Sequence, residues 1–194
     1  MTMELEKERR LHEIFGSHFE GAPAEALEKR LLCQQLIRKI NLSSPEEIEL
    51  RRGSFAALFG KWDKSVHIEP PFYCDFGSNI SIGENSYLNF NCTILDTEKV
   101  AIGKNCWIAP NVQIYAATHP VEAKRRRKEC IAMPINIGND VWLGGGVIVC
   151  PGVTIGDRAV IGAGSIVTKN IPADSVAFGN PCKVHRTLQD NDAE

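Results

Sequence analysis

No cysteine pair in this 194-residue chain has the Cys-x-x-Cys spacing of a zinc ribbon or a thioredoxin-type site. The seven cysteines stand singly at 33, 74, 92, 106, 130, 150 and 182. Positive charge is not in excess either. The 22 basic residues face 24 acidic ones, a formal net charge of -2, so no global field draws the chain to nucleic acid or an anionic membrane. No apolar run approaches the ~20 residues that span a bilayer. The opening Met1-Thr2-Met3-Glu4-Leu5-Glu6-Lys7 lacks the apolar stretch of a secretory signal. These absences lead us to expect a cytoplasmic protein in a reducing setting, with no nucleic-acid or membrane partner. A chain of this length buries about 70% of its unfolded surface, so it needs no disulfide or metal staple to fold.

What is present begins with a helical text. Leu27, Leu31, Leu32, Leu36, Ile37 and Ile40 recur at amphipathic spacing. Ser44-Pro45-Glu46-Glu47 reads as a helix start, with a capping hydroxyl and a proline in the first turn. Ile48, Phe55, Leu58 and Phe59 supply the face that follows, and Gly60 is placed to end it. We therefore expect a helical segment over 1–62.

From about residue 66 the period changes to six. Phe76, Ile82, Leu88 and Ile94 are six apart; two extra residues intervene, and Ile102, Ile108 and Ile114 resume the step. After an insertion, Ile137, Leu143, Val149, Ile155, Ile161 and Val167 run without a break. A helix of 3.6 residues per turn scatters such anchors around its cylinder, whereas six is a multiple of the strand period, so every anchor can point inward. Glycine follows the anchor at 77, 83, 103, 138, 144, 156 and 162, where it would permit a sharp corner. Hexapeptide repeats of this kind specify a parallel β-helix, expected over 63–188 with an inserted loop at 120–134 and a polar tail at 189–194. Three hexapeptides per coil would stack Cys74 and Cys92, 18 apart, as small core hydrophobes.

Within this rhythm one residue is out of character. Ala117-Thr118-His119-Pro120 closes the coil that Ile102 opens, immediately before the insertion. His12 and His18 lie in the helical region, His67 precedes the repeats, and His185 follows the last coil. A histidine takes and returns a proton near neutral pH, so His119 is the candidate general base. The insertion carries Lys124-Arg125-Arg126-Arg127-Lys128, either a solvated charged face or an attractor for an anionic ligand.

Several segments resemble the maltose/galactoside O-acetyltransferase family, which includes nodulation acetyltransferases. They are Pro70-Pro71-Phe72-Tyr73-Cys74-Asp75-Phe76-Gly77-Ser78-Asn79-Ile80, Asn89-Phe90-Asn91, Ile108-Ala109-Pro110-Asn111-Val112, Ala117-Thr118-His119-Pro120 and Gly138-Asn139-Asp140-Val141-Trp142-Leu143-Gly144-Gly145. The resemblance implies a left-handed β-helix, a homotrimer with sites between neighbouring subunits, and acetyl transfer from acetyl-CoA to a sugar hydroxyl. It gives His119 the role of catalytic base and places Asp75, Tyr87, Asn89 and Asp96 on the acceptor wall. Trp142, Gly145, Ala163, Thr168, Lys169, Lys183 and Arg186 match its coenzyme-binding positions. The family's N-terminal acidic contact aligns loosely with Ser17 or Glu20.

Thioester acetyl transfer needs a hydroxyl made nucleophilic and a donor for the oxyanion, for which amides near Gly144 and Gly145 are candidates. The expected route is direct transfer in a ternary complex, with no metal. A metal-dependent trimeric carbonic anhydrase would need three histidines, and only His119 lies in the coils. A non-sugar acceptor (an antibiotic or serine) and a non-catalytic scaffold are the alternatives.

Overall fold

The computed structural model of the chain describes residues 3–16 and 22–189. Three helices come first: α1 (Met3–Phe15), α2 (Ala24–Asn41) and α3 (Ile48–Leu58). The first coil opens with β1 (Lys61–Trp62), β2 (His67–Ile68) and β3 (Phe72–Cys74). The second holds β4 (Ile80–Ile82), β5 (Tyr87–Leu88) and β6 (Cys92–Leu95); the third, β7 (Val100–Ile102), β8 (Trp107–Ile108) and β9 (Gln113–Tyr115). An excursion of β10 (Ala117–Thr118), α4 (Ala123–Arg126) and β11 (Ile131–Ala132) follows. The coils resume with β12 (Ile135–Ile137), β13 (Trp142–Leu143) and β14 (Ile148–Val149), then β15 (Thr154–Ile155), β16 (Val160–Ile161) and β17 (Ile166–Val167). The antiparallel pair β18 (Ser175–Phe178) and β19 (Lys183–Thr187) closes the chain.

These strands stack into three faces of a prism. The first face runs β1-β4-β7-β12-β15, the second β2-β5-β8-β13-β16-β18-β19, the third β3-β6-β9-β14-β17. Every pairing between coils is parallel. The molecule is a parallel β-helix, as the period of six requires. Anchors Ile82, Leu88, Ile94, Ile102, Ile108, Ile114, Ile137, Leu143, Val149, Ile155, Ile161 and Val167 all point inward and are buried.

The register corrects two expectations. Trp62 pairs with Ile82 and Ile82 with Ile102, steps of 20, whereas Ile137 pairs with Ile155, a step of 18. The first two coils therefore carry two additional residues each, after Cys74 and again after Ile94. Cys74, not Phe76, is the third anchor of the first coil: it lies opposite Ile94, while Cys92 lies opposite Phe72. The expected Cys74–Cys92 stack does not form, and Phe76 is displaced into the corner, where it is only partly covered.

The glycines after the anchors also do different work. The left-handed residue of most corners sits three places beyond the anchor, as Asn85, Asn91, Asn105, Asn111, Asp140, Arg158, Gly77, Gly146, Gly152 and Gly164. Asparagine tolerates this conformation because its short polar side chain bonds locally. The glycines at 83, 103, 138, 144 and 156 instead let successive coils touch. A Cβ on Gly103 would stand 2.4 Å from the Gly138 carbonyl oxygen, and one on Gly156 2.3 Å from the Ala173 nitrogen.

The helices cover the open end of the stack. Phe55 of α3 and Phe59, which follows that helix, stack with ring centroids 5.5 Å apart, and Phe59 meets the Phe72 ring edge-on at 5.6 Å. Burial of Phe55 and Phe72 contributes about 2–3 kcal/mol each. Asn41 then satisfies an edge strand. Its Nδ2 donates to the Phe72 carbonyl at 3.0 Å, and its Oδ1 accepts from the Phe72 N–H at 2.9 Å. The start signal at Ser44 lies earlier than the helix: Ser44-Pro45-Glu46 forms a turn, Glu47 accepts the Ser44 N–H, and α3 begins at Ile48. Gly60 serves contact rather than capping, since a Cβ there would stand 2.2 Å from the Ser78 carbonyl oxygen. Among the described residues no helix is long and apolar enough to cross a membrane.

Opposite signs are expected for two glycine substitutions. Gly103→Ala should lower unfolding free energy by about 1–3 kcal/mol, because backbone on the next coil cannot yield. Gly53→Ala, on the exposed face of α3 with open space around it, should raise it by about 0.5–1 kcal/mol. Urea unfolding of the two variants measures both.

Candidate active site

The irregularities all fall at one place. The corner from the third face to the first spans Cys74 to Ile82 and Ile94 to Ile102, eight residues each, then Ile114 to Ile137, and only after Val149 shrinks to six. Longer loops on successive coils thus lie along one edge of the prism.

Asp96 organises the upper part of that edge. It is 0% exposed, and its Oδ1 accepts the Asp75 and Phe76 N–H groups at 3.0 and 2.9 Å. Its Oδ2 accepts from the Asn79 N–H at 3.3 Å, while its own carbonyl takes the Asn79 Nδ2 at 2.7 Å. Burial raises its carboxyl pKa, and the backbone donors offset only part of that rise. Asp96, expected on the acceptor wall, is fully buried in the single chain, where its carboxylate serves the backbone of the loop from Asp75 to Asn79. Asp75, the neighbour it positions, is partly exposed and pairs with Arg30 of α2, Oδ1 to Nη1 2.6 Å. Next to this pair the Cys33 and Cys74 sulfurs stand 3.6 Å apart. Their mutual hydrogen bond and burial push the Cys74 thiol well up.

His119 stands at the same corner one coil below. The strands β10 and β11 pair Ala117 with Ala132 and Thr118 with Ile131, which brings the next residues of the hairpin beside one another. His119 is exposed, and its Nδ1 lies 2.9 Å from the Glu129 carbonyl oxygen. A carbonyl only accepts, so His119 donates from Nδ1, and in the neutral ring Nε2 is then the atom without a proton. Thr168 and Lys169 follow β17 at this same edge and are exposed.

The remaining expected residues lie elsewhere. Asn89, Gly145 and Ala163 occupy the corner between the second and third faces. There Gly164 donates to the Gly145 carbonyl at 2.8 Å, and a Cβ on Gly144 would stand 2.6 Å from the Ala163 nitrogen. Gly144 donates to Ile161 and Gly146 to Pro110, so the Gly145 amide sits between two that are already bonded. Tyr87 and Trp142 share one outward column of the second face, His67-Tyr87-Trp107-Trp142. The His67 and Tyr87 rings stack at 5.6 Å, and Tyr87 meets Trp107 at 5.7 Å. Trp107 and Trp142 are 63% and 55% exposed, a large apolar surface for a β-helix face. Lys183 and Arg186 lie on β19, at the end of that face. Ser17 and Glu20 lie outside the described residues. The single chain thus distributes its expected site residues over two edges flanking the third face and along the second face.

Comparison with known proteins decides the family. Residues 134–169 match the bacterial transferase hexapeptide family (six repeats), and residues 79–116 the hexapeptide repeat of succinyl-transferase. The galactoside O-acetyltransferase of Escherichia coli is 46% identical over 193 residues, 99% of this chain and 93% of that one. The chain belongs to the galactoside/maltose O-acetyltransferase family. It is an acyltransferase built on hexapeptide repeats. A galactoside acetyltransferase solved in complex with coenzyme A superposes with a TM-score of 0.87 at 47% identity, over 89% of this chain and 86% of that one. A maltose O-acetyltransferase from Clostridium difficile gives 0.83 at 45%, over 85% and 89%.

In this acyltransferase three features escape a reading of residue types. Trp107 is recognisable only once coil lengths of 20 and 35 place it between Tyr87 and Trp142. Arg30 lies 45 residues before the carboxylate it pairs with, and the Glu129 contact is a main-chain atom. The scattered thiols are mostly core fillers: burial pushes Cys92 up to about 11 and raises Cys106, Cys150 and Cys182. Two clefts accompany the edges. One of about 620 Å³ lies between α3 and the first coil, lined by Ile48, Phe55, Trp62 and His67. The other, of about 360 Å³, lies against the corner that Asp96 holds, lined by Ala26, Lys29, Phe76, Ser78, Asn79 and Thr97. Among the described residues no group of three His, Cys, Asp or Glu side chains is placed to hold a metal ion.

Asp96→Ala leaves three backbone N–H groups without their acceptor and should cost about 3 kcal/mol of stability. Denaturant unfolding measures that loss. A variant as stable as the parent would mean that the corner does not depend on Asp96.

Proposed function

We propose that this acyltransferase moves an acetyl group from acetyl-CoA to a hydroxyl of a sugar acceptor, with His119 as general base. The reading is supported above all by the Nδ1 contact to the Glu129 carbonyl, which leaves Nε2 as the basic nitrogen of the neutral ring. The names of the similar proteins, galactoside and maltose O-acetyltransferases, support the sugar class. The coenzyme A complex of a 47% identical protein supports the donor.

The reaction needs one proton carrier. Nε2 takes the acceptor hydroxyl proton as the oxygen attacks the thioester carbonyl, giving a tetrahedral oxyanion. The Gly145 amide is the donor we assign to that oxyanion, since its neighbours already serve Ile161 and Pro110. Collapse breaks the carbon–sulfur bond, and the imidazolium returns its proton to the departing thiolate. Transfer is direct, within a ternary complex. On this reading Trp142, Gly145, Ala163, Thr168, Lys169, Lys183 and Arg186 contact the coenzyme. Asp75, held by Arg30 over Asp96, and Asn89 and Tyr87 contact the acceptor.

A site of this composition must be assembled from more than one chain. The third-corner edge that carries His119 and the edge that carries Asn89 and Gly145 lie on opposite sides of one face. Two copies bring such edges together when they pack side by side, and three-fold closure gives every copy the same contact. The exposed tryptophan column beside the second edge supplies apolar surface for that contact. The homotrimer is therefore part of the proposal.

His119→Ala should lower turnover by roughly 10² to 10⁴ while acetyl-CoA affinity, read by calorimetry, stays nearly unchanged. Unaltered turnover removes His119 from the chemistry, and a thiol-release assay over a panel of sugars tests the acceptor class. Copies carrying His119→Ala, refolded together with copies carrying Asn89→Ala, should regain activity that neither preparation has alone. Failure of that complementation, or sedimentation as a monomer with full activity, would place the whole site on one chain.

A further inference from the structure

The basic run 124–128 has no part in the reaction as drawn, and its geometry gives one member a specific task. We propose that Arg125 is a positioning residue for His119: forked onto Glu129, it aims the Glu129 carbonyl at Nδ1 and so selects the imidazole tautomer. The inference rests on the reading of His119 as the base.

Glu129 is held at three points. Its carboxylate receives Arg125 Nε at 3.0 Å and Nη2 at 2.7 Å. Its own N–H donates to the Arg125 carbonyl at 2.9 Å. Its carbonyl accepts from His119 Nδ1 at 2.9 Å. Arg125 is anchored in turn. Glu122 caps the short helix α4, accepting the Lys124 N–H at 2.8 Å and the Arg125 N–H at 2.7 Å. The chain of contacts thus runs Glu122, Arg125, Glu129, His119, and every link but the last lies within an eight-residue stretch of the loop.

The competing roles of the run are weaker for Arg125. A guanidinium forked onto a carboxylate has its charge compensated and its Nε–Nη2 edge occupied, which leaves it a weaker anion site. Lys124, Arg127 and Lys128 remain as the solvated face, and Arg126 Nη1 reaches the Val121 carbonyl at 3.5 Å. Nor is stability the reason for the pair. Exposed ion pairs are worth little to folding, and both partners here are exposed. What a two-pronged bridge provides is orientation. On an exposed loop a main-chain carbonyl is free to turn toward water, and His119 would then lose the partner that keeps its proton on Nδ1.

Full-length protein with ¹⁵N-labelled histidine tests this, the His119 ring signals being assigned by their loss in His119→Ala. In Arg125→Gln the ring should shift toward the Nε2–H tautomer. Its kcat should fall about tenfold, with KM for both substrates within twofold of the parent. The reversed pair, Arg125→Glu with Glu129→Arg, should restore tautomer and kcat together. Arg127→Gln, which removes the same charge from the same loop, should change neither. An unchanged tautomer in Arg125→Gln overturns the proposal, as does an equal loss in Arg127→Gln. So does failure of the reversed pair to recover in a protein of unaltered thermal midpoint. A shifted tautomer with full kcat upholds the positioning and instead refutes His119 as the base.

Discussion

Everything in this molecule depends on one requirement: each coil must lie directly on the last, backbone against backbone. Parallel strands give each amide a partner one coil away, and the corners close up until a methyl group no longer fits at Gly103 or Gly156. Register is then absolute. A coil with surplus residues cannot spread them along its strands without turning its anchors outward. The surplus has to leave at a corner, and once it leaves at one corner, the coil above it does best to follow. The two-residue excess at Asp75–Phe76 and again after Leu95, and the long excursion that carries His119, share this origin. Stacking pressure has built an edge with loops on it, and His119, the proposed base, stands on that edge.

The run from Ile137 to Val167 was fully legible, because 18-residue coils keep a period that residue types alone display. The first coils were not. Phe76, Ile82, Leu88 and Ile94 imitate an unbroken step of six, since an aromatic in a corner cannot be told from an anchor by type. Only pairing distinguishes them, by putting Cys74 opposite Ile94. Glycine misled for a related reason. Its two capacities, a left-handed backbone and close approach, look identical in text, and here asparagine takes much of the first and leaves glycine the second.

The site was legible in kind and less so in arrangement. His119 could be picked out because it interrupts an aliphatic rhythm. Asp96 could not be separated from Asp75, since only burial tells a carboxylate that shapes a loop from one that faces solvent. The helix start at Ser44 failed in a similar way: a proline three residues before the first helical residue serves a turn as readily as a first turn. The partner of His119 Nδ1 is a main-chain oxygen ten residues away, which residue types do not mark.

The extra length carried at one corner has a consequence for how such a protein can change. A β-helix is quasi-one-dimensional, and each coil contacts only its neighbours. Doubling the length of a loop at that corner costs only about 0.6 kcal/mol in closure entropy, less than a typical hydrogen bond is worth. The margin of the prism is therefore a place where new text can be inserted line by line without resetting the page. The second-face column and its glycine-lined corner, where backbones touch, allow no such editing. Diversity in what this scaffold accepts should collect along the edge that bears the histidine, while the opposite edge stays nearly constant.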